Sequence, residues 1–196
     1  MNEQAVNPTT KKINPSEMLG SNRPAAAKSM PHPAANRWHN LIATNTAIAV
    51  GTRLSGNKAE VYVNGMRVQL KRDLVCYPDV VIVQGTPEFA DKNADLLLNP
   101  TVVVEVVSSA TNPLEKMQKL ESYLAIESIK ECLMVKADET RVEHYARQNA
   151  KQWIYRIYDE RDAVVALESI HCKLSVSEIY AQVDVKQAEL SSKAVN

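Results

Sequence analysis

The chain has 196 residues, of which 45% are hydrophobic and 23% charged, as expected for a globular protein with one domain and short appendages. Its 23 basic and 23 acidic residues cancel. Proteins that coat nucleic acid indiscriminately are usually strongly basic, because phosphate neutralisation drives such binding. The balance argues against an abundant non-specific coat protein and remains compatible with an enzyme that has a local basic groove.

The cysteines and the apolar runs predict the compartment. Three cysteines, Cys76, Cys132 and Cys172, are odd in number and far apart, which favours reduced thiols in a cytoplasmic protein. The Lys11-Lys12 pair precedes no apolar stretch, so no secretory signal is predicted. No run approaches the 18 apolar residues of a membrane span. We therefore expect a cytoplasmic chain without membrane association.

Proline content predicts the boundaries of the folded part. The first 36 residues hold five of the nine prolines. Proline lacks a backbone donor and interrupts helices and sheets, so residues 1–36 are predicted to form a flexible arm. The main domain is predicted over residues 37–180. Residues 181–196 are predicted to be a polar tail.

Residue periodicity predicts the elements of this domain. Helical spacing indicates helices over 38–54 and 112–126, the second with an apolar face made of Met117, Leu120 and Leu124. Asn64-Gly65 predicts a hairpin between the two strands on either side of it. The predicted strands lie at 60–63, 66–70, 77–83, 101–107, 131–135, 141–146 and 153–158. The order of helices and strands predicts an α/β sheet domain.

Two acidic residues lie in unusually apolar strands. Asp79 precedes Val80-Val81-Ile82-Val83, and Glu105 interrupts a run of valines from Val102 to Val107. A carboxylate in such a strand loses hydration unless a cation compensates it. Each acid could instead face solvent or pair with a buried lysine or arginine. Together, two acids and a following lysine-bearing helix suit metal-assisted phosphodiester hydrolysis, in which the acids hold Mg²⁺ and a lysine stabilises developing charge.

The same segments carry a family resemblance. Tyr77-Pro78-Asp79, the segment Glu105-Val106-Val107-Ser108-Ser109-Ala110-Thr111 and the helical Lys119-Leu120-Glu121-Ser122-Tyr123 follow one another in order. This pattern, within residues 38–160, resembles the Uma-type restriction endonuclease family of the PD-(D/E)xK nuclease superfamily. The resemblance implies a restriction-endonuclease-like fold, a mixed central sheet flanked by helices. It also implies a metal-dependent endonuclease that hydrolyses DNA and that could act as a homodimer.

The resemblance assigns roles to individual residues. Asp79 and Glu105 match the metal-binding acids, with Mg²⁺ or Mn²⁺ as the cation. Lys119 matches the lysine of the following helix, whereas the usual superfamily position holds Val107. Lys116 competes with Lys119, because a helical wheel places Lys116 closer to the apolar face. His39 resembles a family histidine at the start of the first helix, although a partly exposed helix-end histidine is the alternative we favour.

Departures from the family pattern keep other functions open. Ser108-Ser109-Ala110-Thr111 replaces the family's Ser-Pro-Ser-Thr, and the acidic segment that usually precedes the first helix is not evident. These changes suit a nuclease-fold module that binds nucleic acid or a protein without cleaving. A plain α/β protein, with two structural acids and no site, is a third alternative.

Overall fold

The computed structural model describes residues 28–30, 35–71, 74–90 and 92–193. The helices are α1 (Arg37–Leu54), α2 (Pro113–Leu124), α3 (Val176–Ile179) and α4 (Val185–Lys193). The strands are β1 (Lys28–Ser29), β2 (Ala59–Val63), β3 (Arg67–Lys71), β4 (Leu74–Cys76), β5 (Val80–Gln84), β6 (Leu96–Leu97), β7 (Val102–Val107), β8 (Glu131–Lys136), β9 (Val142–Arg147), β10 (Trp153–Tyr158), β11 (Val164–Leu167) and β12 (Cys172–Ser175). A 3₁₀ turn, Glu168–Ile170, links the last two strands.

The centre of the molecule is a six-stranded mixed sheet with the order β10-β9-β8-β7-β5-β2. The pair β7–β8 is parallel and the other four pairs are antiparallel. Every residue of β7 is buried, which explains its run of branched valines, since a central strand covered on both faces needs apolar side chains throughout. The predicted α/β fold with a mixed central sheet and flanking helices is confirmed.

The two faces of the sheet pack against different helices. Val102, Val104 and Val106 point into a core that includes residues of α1, whereas Val103 and Val107 point into a second core with α2. Strand side chains alternate between faces, so Glu105 is on the α2 side. The side chain of Asn36 caps α1, and Asn112 with Pro113 begins α2 as predicted.

The predicted hairpin at Asn64-Gly65 is wrong. Both residues have positive φ, 41° and 119°, as such a turn requires. The two strands nevertheless diverge: β2 pairs with β5 in the central sheet, and β3 pairs with β4 and β6 in a four-stranded sheet. The turn residues specify only a local reversal, whereas pairing with β5, whose first four residues are apolar and buried, decides where β2 lies.

The ends of the chain contain structure that periodicity did not predict. Within the predicted arm, Lys28–Ser29 pairs in parallel with β4, so this short piece is not a free arm. The rest of the arm up to residue 34, apart from Met30, lies outside the described residues. The hairpin of β11 and β12 and the helix α3 pack on α1, and α4 lies within the predicted tail. Their apolar residues are few per element, which hides their periodicity.

Of the helices in the described part of the chain, none combines the length and the apolar character required to cross a bilayer.

Candidate active site

The two predicted acids lie next to each other on paired strands. The antiparallel register joins Val80 of β5 to Val104 of β7, which places Asp79 opposite Glu105. Asp79 is fully buried, and Glu105 is 3% exposed. The alternative in which each acid faces solvent on its strand is therefore wrong. Two carboxylates in this setting need donors or cations nearby, because burial penalises their charged forms.

Helix α2 supplies two donors to Glu105. Lys119 Nζ lies 2.7 Å from Oε2, and the Tyr123 hydroxyl donates to Oε1. Lys119 and Tyr123 are one turn apart, and they are the buried residues of α2. Each oxygen of Glu105 thus accepts one hydrogen bond, and the carboxylate plane is held from the helix side of the sheet.

The helical wheel misjudged the inward face of α2. Met117, predicted to be apolar and inward, is 54% exposed, and Leu120 is half-buried. Lys116, which the wheel placed nearer the apolar face, donates to Glu143 of β9 at 2.9 Å. Lys119 and Tyr123 of the helix point inward, because both donate hydrogen bonds to the buried Glu105 of β7. A helical wheel contains only residues of the helix and therefore does not include this partner.

Asp79 is held by α1 and by the backbone of β7. His39 Nε2 lies 2.7 Å from Oδ1, and the Val106 amide donates to Oδ2 over 2.7 Å. His39 is 7% exposed, so the partly exposed histidine that we favoured from the sequence is wrong. The signal that could have identified it was its place at the start of the family's first helix. Its contact with Asp79 spans 40 residues and leaves no local pattern.

The electrostatics of the site reflect two crowded acids. Burial raises the pKa of Glu105 to about 7; the Asp79 charge also raises it, and the ion pair with Lys119 only partly offsets these effects. Burial, with the charge of Glu105, also raises the pKa of Tyr123 well above its ordinary value. Tyr123 therefore remains a protonated donor to Glu105 at neutral pH.

A neighbouring thiol adds no nucleophile to the site. Burial raises the pKa of Cys76 to about 12, and its Sγ donates to the Val68 carbonyl. A thiol attacks as the thiolate, so Cys76 stays unreactive at neutral pH. The chemistry of the site rests on oxygen and nitrogen groups.

A cavity of about 170 Å³ opens on one side of this cluster. Glu105 and Lys119 form part of its wall, together with Lys116, Gln118 and Met30. Met30 lies just after β1, so a residue of the predicted arm borders the site. Asp79, which is fully buried, is not among the residues that line this cavity. Two acids, Glu105 and Glu115, and two lysines, Lys116 and Lys119, line the cavity, so the formal charges of its wall balance.

The loop that departs from the family pattern is held in place by other contacts. The Thr111 hydroxyl accepts a hydrogen bond from the Ser108 amide, and buried Asp138 accepts one from the Ser109 amide at 2.7 Å. Asp138 was not identified from the sequence, and it follows the end of β8. The loop after Glu105 thus keeps an ordered path despite the replaced proline.

The oxygen donors fit a hard divalent cation. Within the described ranges, no group of three or more His, Cys, Asp or Glu side chains is arranged to hold a metal. Mg²⁺ does not need such a cage, because it binds through one or two carboxylates and retains several waters. Glu105 accepts one hydrogen bond on each oxygen, and a carboxylate has about four lone-pair sites in total. Asp79 and Glu105 could therefore contribute ligands.

Comparisons with known proteins identify the family and the fold. The family model "Uma2: Putative restriction endonuclease" matches residues 29–179. A Synechocystis protein, "Uncharacterized protein sll1609", is 28% identical over 154 residues, which cover 74% of this chain and 87% of that protein. The crystal structure of a "putative nuclease belonging to DUF820" from Anabaena variabilis superposes with a TM-score of 0.64 at 18% identity. It covers 77% of this chain and 84% of its own, so the fold is shared.

Proposed function

The chain belongs to the Uma2 restriction endonuclease family, and from that premise we propose that it is a divalent-metal-dependent endonuclease that hydrolyses DNA phosphodiester bonds. The contact of Lys119 with Glu105, across from Asp79, is the observation that carries the proposal. Asp79 and Glu105 would hold Mg²⁺ or Mn²⁺. When bound, the cation would polarise the phosphate and make water a better nucleophile.

Lys119 is the group that acts on the substrate from the protein side. Its ammonium lies at the cavity wall, where a phosphate oxygen can approach it. Negative charge that develops on the phosphate is stabilised best by a cation already fixed in place, in surroundings of low polarity. The ion pair with Glu105 fixes Lys119, which also lets it orient a water for attack.

Tyr123 and His39 act as positioning residues for the two acids. Each contacts one carboxylate, Tyr123 on Glu105 and His39 on Asp79, from a different helix. Partners that hold metal-binding side chains fix their orientation and tune their basicity. The site thus draws its positioning residues from both helices, α1 and α2.

The test is a plasmid-nicking assay in Mg²⁺ and in Mn²⁺, with calorimetric metal titrations in parallel. The double variant Asp79→Ala/Glu105→Ala should lose both nicking and metal binding. The matched control Asp159→Ala/Glu160→Ala removes two exposed acids and should retain both. Equal metal affinity in the wild type and the site variant would overturn the proposal.

A second candidate function is DNA binding without cleavage, on the same fold. Asp79 is fully buried and does not line the cavity. This favours the second candidate, because a carboxylate that binds a catalytic metal must be able to contact both the metal and, through it, the substrate. Fluorescence anisotropy with labelled duplex DNA separates the two. Binding that persists in both metals, without product on gels, would support the binding module.

A further inference from the structure

A second buried glutamate lies on the opposite face of the central sheet. Glu131 begins β8 and shares a face with Leu133, which packs on the α1 side. His144 of β9 lies opposite Leu133 in the register and points to that same side. Glu105 faces α2, so the sheet itself separates this Glu131 pair from the nuclease site. Nothing in the proposed hydrolysis uses it.

Glu131 is held as an acceptor by four hydrogen bonds. Ser169 donates from its amide, over 3.1 Å, and from its hydroxyl, and the Glu168 amide donates at 3.2 Å. His144 Nε2 is the fourth partner, at 3.1 Å. Burial alone would raise the pKa of Glu131, but the bonds from His144 and Ser169 outweigh burial and lower it. The carboxylate therefore has no proton to give, and His144 Nε2 must carry the one between them.

The other nitrogen of His144 has no partner among the described residues. Nδ1 is buried, and the residue as a whole is 1% exposed. In the tautomer that carries its hydrogen on Nε2, toward Glu131, Nδ1 is a hydrogen-bond acceptor. Buried polar atoms are nearly always satisfied by the protein, by water or by a ligand, so Nδ1 is expected to take a partner from outside the chain.

His144 lines a cavity of about 570 Å³, a volume typical of small-molecule sites. Lys130 and Arg156 border it with exposed side chains, and Tyr158 adds an aromatic wall. Arg147 borders it too, but its guanidinium is engaged by three backbone carbonyls at the end of α2. Lys130, whose Nζ also donates to the Glu127 carbonyl at 3.0 Å, and Arg156 are the cations left for a ligand, and exposed Glu168 adds an acid to the same wall.

We propose that this cavity binds a phosphate monoester that carries a hydroxyl or amino group, the class of sugar phosphates and mononucleotides. Its phosphate contacts Lys130 and Arg156, and its hydroxyl or amino group donates to His144 Nδ1. A planar base would lie along Tyr158. The proposal does not depend on nuclease activity, because its residues lie on the other face of the sheet.

Calorimetry with four probes tests the site: adenosine monophosphate, ribose 5-phosphate, adenosine and inorganic phosphate. Both esters should bind, adenosine should not, and inorganic phosphate should bind at least tenfold more weakly than the esters. Lys130→Ala/Arg156→Ala should weaken ester binding by tenfold or more, whereas Lys58→Ala/Lys173→Ala, which removes two exposed lysines elsewhere, should not. Glu105→Gln should bind like the wild type, which separates this cavity from the nuclease site.

His144→Gln is the sharpest variant. A glutamine amide can replace Nε2 as donor to Glu131, yet it places no acceptor at Nδ1, so the protein should fold and ester affinity should fall about tenfold. If that variant fails to fold, the ester affinity of Lys130→Ala/Arg156→Ala still tests whether the cavity binds the phosphate. Absence of ester binding, or unchanged binding in both variants, would overturn the site. Equal affinity for inorganic phosphate would overturn the role of His144.

Discussion

Glu105 and Glu131 lie on neighbouring strands of one sheet, both 3% exposed, and their pKa values shift in opposite directions. Burial acts on both in the same sense. Glu131 receives four hydrogen bonds, whereas Glu105 receives two and lies beside the charge of Asp79. The number of donors and the presence of a second acid therefore decide how a buried carboxylate behaves.

The comparison has a functional meaning. An acid saturated with donors is stable as an anion and serves the structure, as Glu131 does for His144 and the 3₁₀ turn. An acid with fewer donors that lies beside another acid is poorly stabilised in its charged form, so a nearby cation stabilises it. Glu105 is such an acid, so the site around it suits a cation. Glu131 already has its donors, so the cavity beside it suits a different ligand.

The largest effect should come from the lysine of the nuclease site. Lys119→Met should lower the DNA nicking rate by at least about 10²-fold, since removal of one preorganised charge-stabilising group typically costs that much. Lys116→Met is the matched control on the same helix and cavity wall, and it should cost less than tenfold. Rates from single-turnover nicking in Mg²⁺ decide between them. A larger loss in Lys116→Met would reverse the assignment.

The next effect concerns the donor-rich acid. Glu131→Gln should lower the free energy of unfolding at pH 7 by roughly 1–3 kcal/mol, because an amide cannot accept all four donated hydrogen bonds. Urea denaturation followed by circular dichroism measures it. The equivalent exposed change Glu160→Gln should stay within about 0.5 kcal/mol. An unchanged midpoint for Glu131→Gln would remove the contrast between the two acids.

The pH dependence of stability should separate the acids further. With its pKa raised to about 7, folded Glu105 holds a proton that the unfolded chain releases near pH 4.5. The folded state binds more protons in that window, so the stability contributed below pH 4.5 is lost as pH rises to 7, by up to roughly 1.4 kcal/mol per unit. Urea midpoints in EDTA should show this fall in the wild type, and it should flatten in Glu105→Gln.

Glu131 should act in the opposite sense. Its pKa is lowered, so its contribution to stability is present above the ordinary glutamate pKa and is lost as pH falls through the folded value. Glu131→Gln should therefore flatten the acid limb of the same curve, below pH 4.5. If both variants flattened the same pH range, the assignment of opposite shifts would be wrong.

The smallest effect should come from the face of α2 that was predicted to be apolar and inward. Met117→Ser should change the free energy of unfolding by less than about 0.5 kcal/mol, because the side chain is largely exposed. Leu120→Ala, at a half-buried position one turn away, should cost more. Thermal or urea unfolding of both variants gives the order. Equal costs would mean that Met117 packs against something in solution.

The sequence predicted most of the central architecture, and the reason is local chemistry. The valine runs from Val80 and Val102 specify buried strands by themselves, and Asn112-Pro113 specifies where α2 begins. Asp79 and Glu105 were recognisable as candidates because a charged residue in an apolar strand is locally anomalous. These features depend on neighbours in the chain, and periodicity and composition record them.

Only the tertiary structure decided how these pieces meet. Four features join residues that are far apart in the chain. They are the pairing of β2 with β5, the contact of His39 with Asp79, the contact of Lys119 rather than Lys116 with Glu105, and the Glu131–His144 pair. A helical wheel or a turn motif carries no information about such partners. Pairing and burial are settled only when the strands assemble into the sheet, and two glutamates on neighbouring strands then reach opposite electrostatic states.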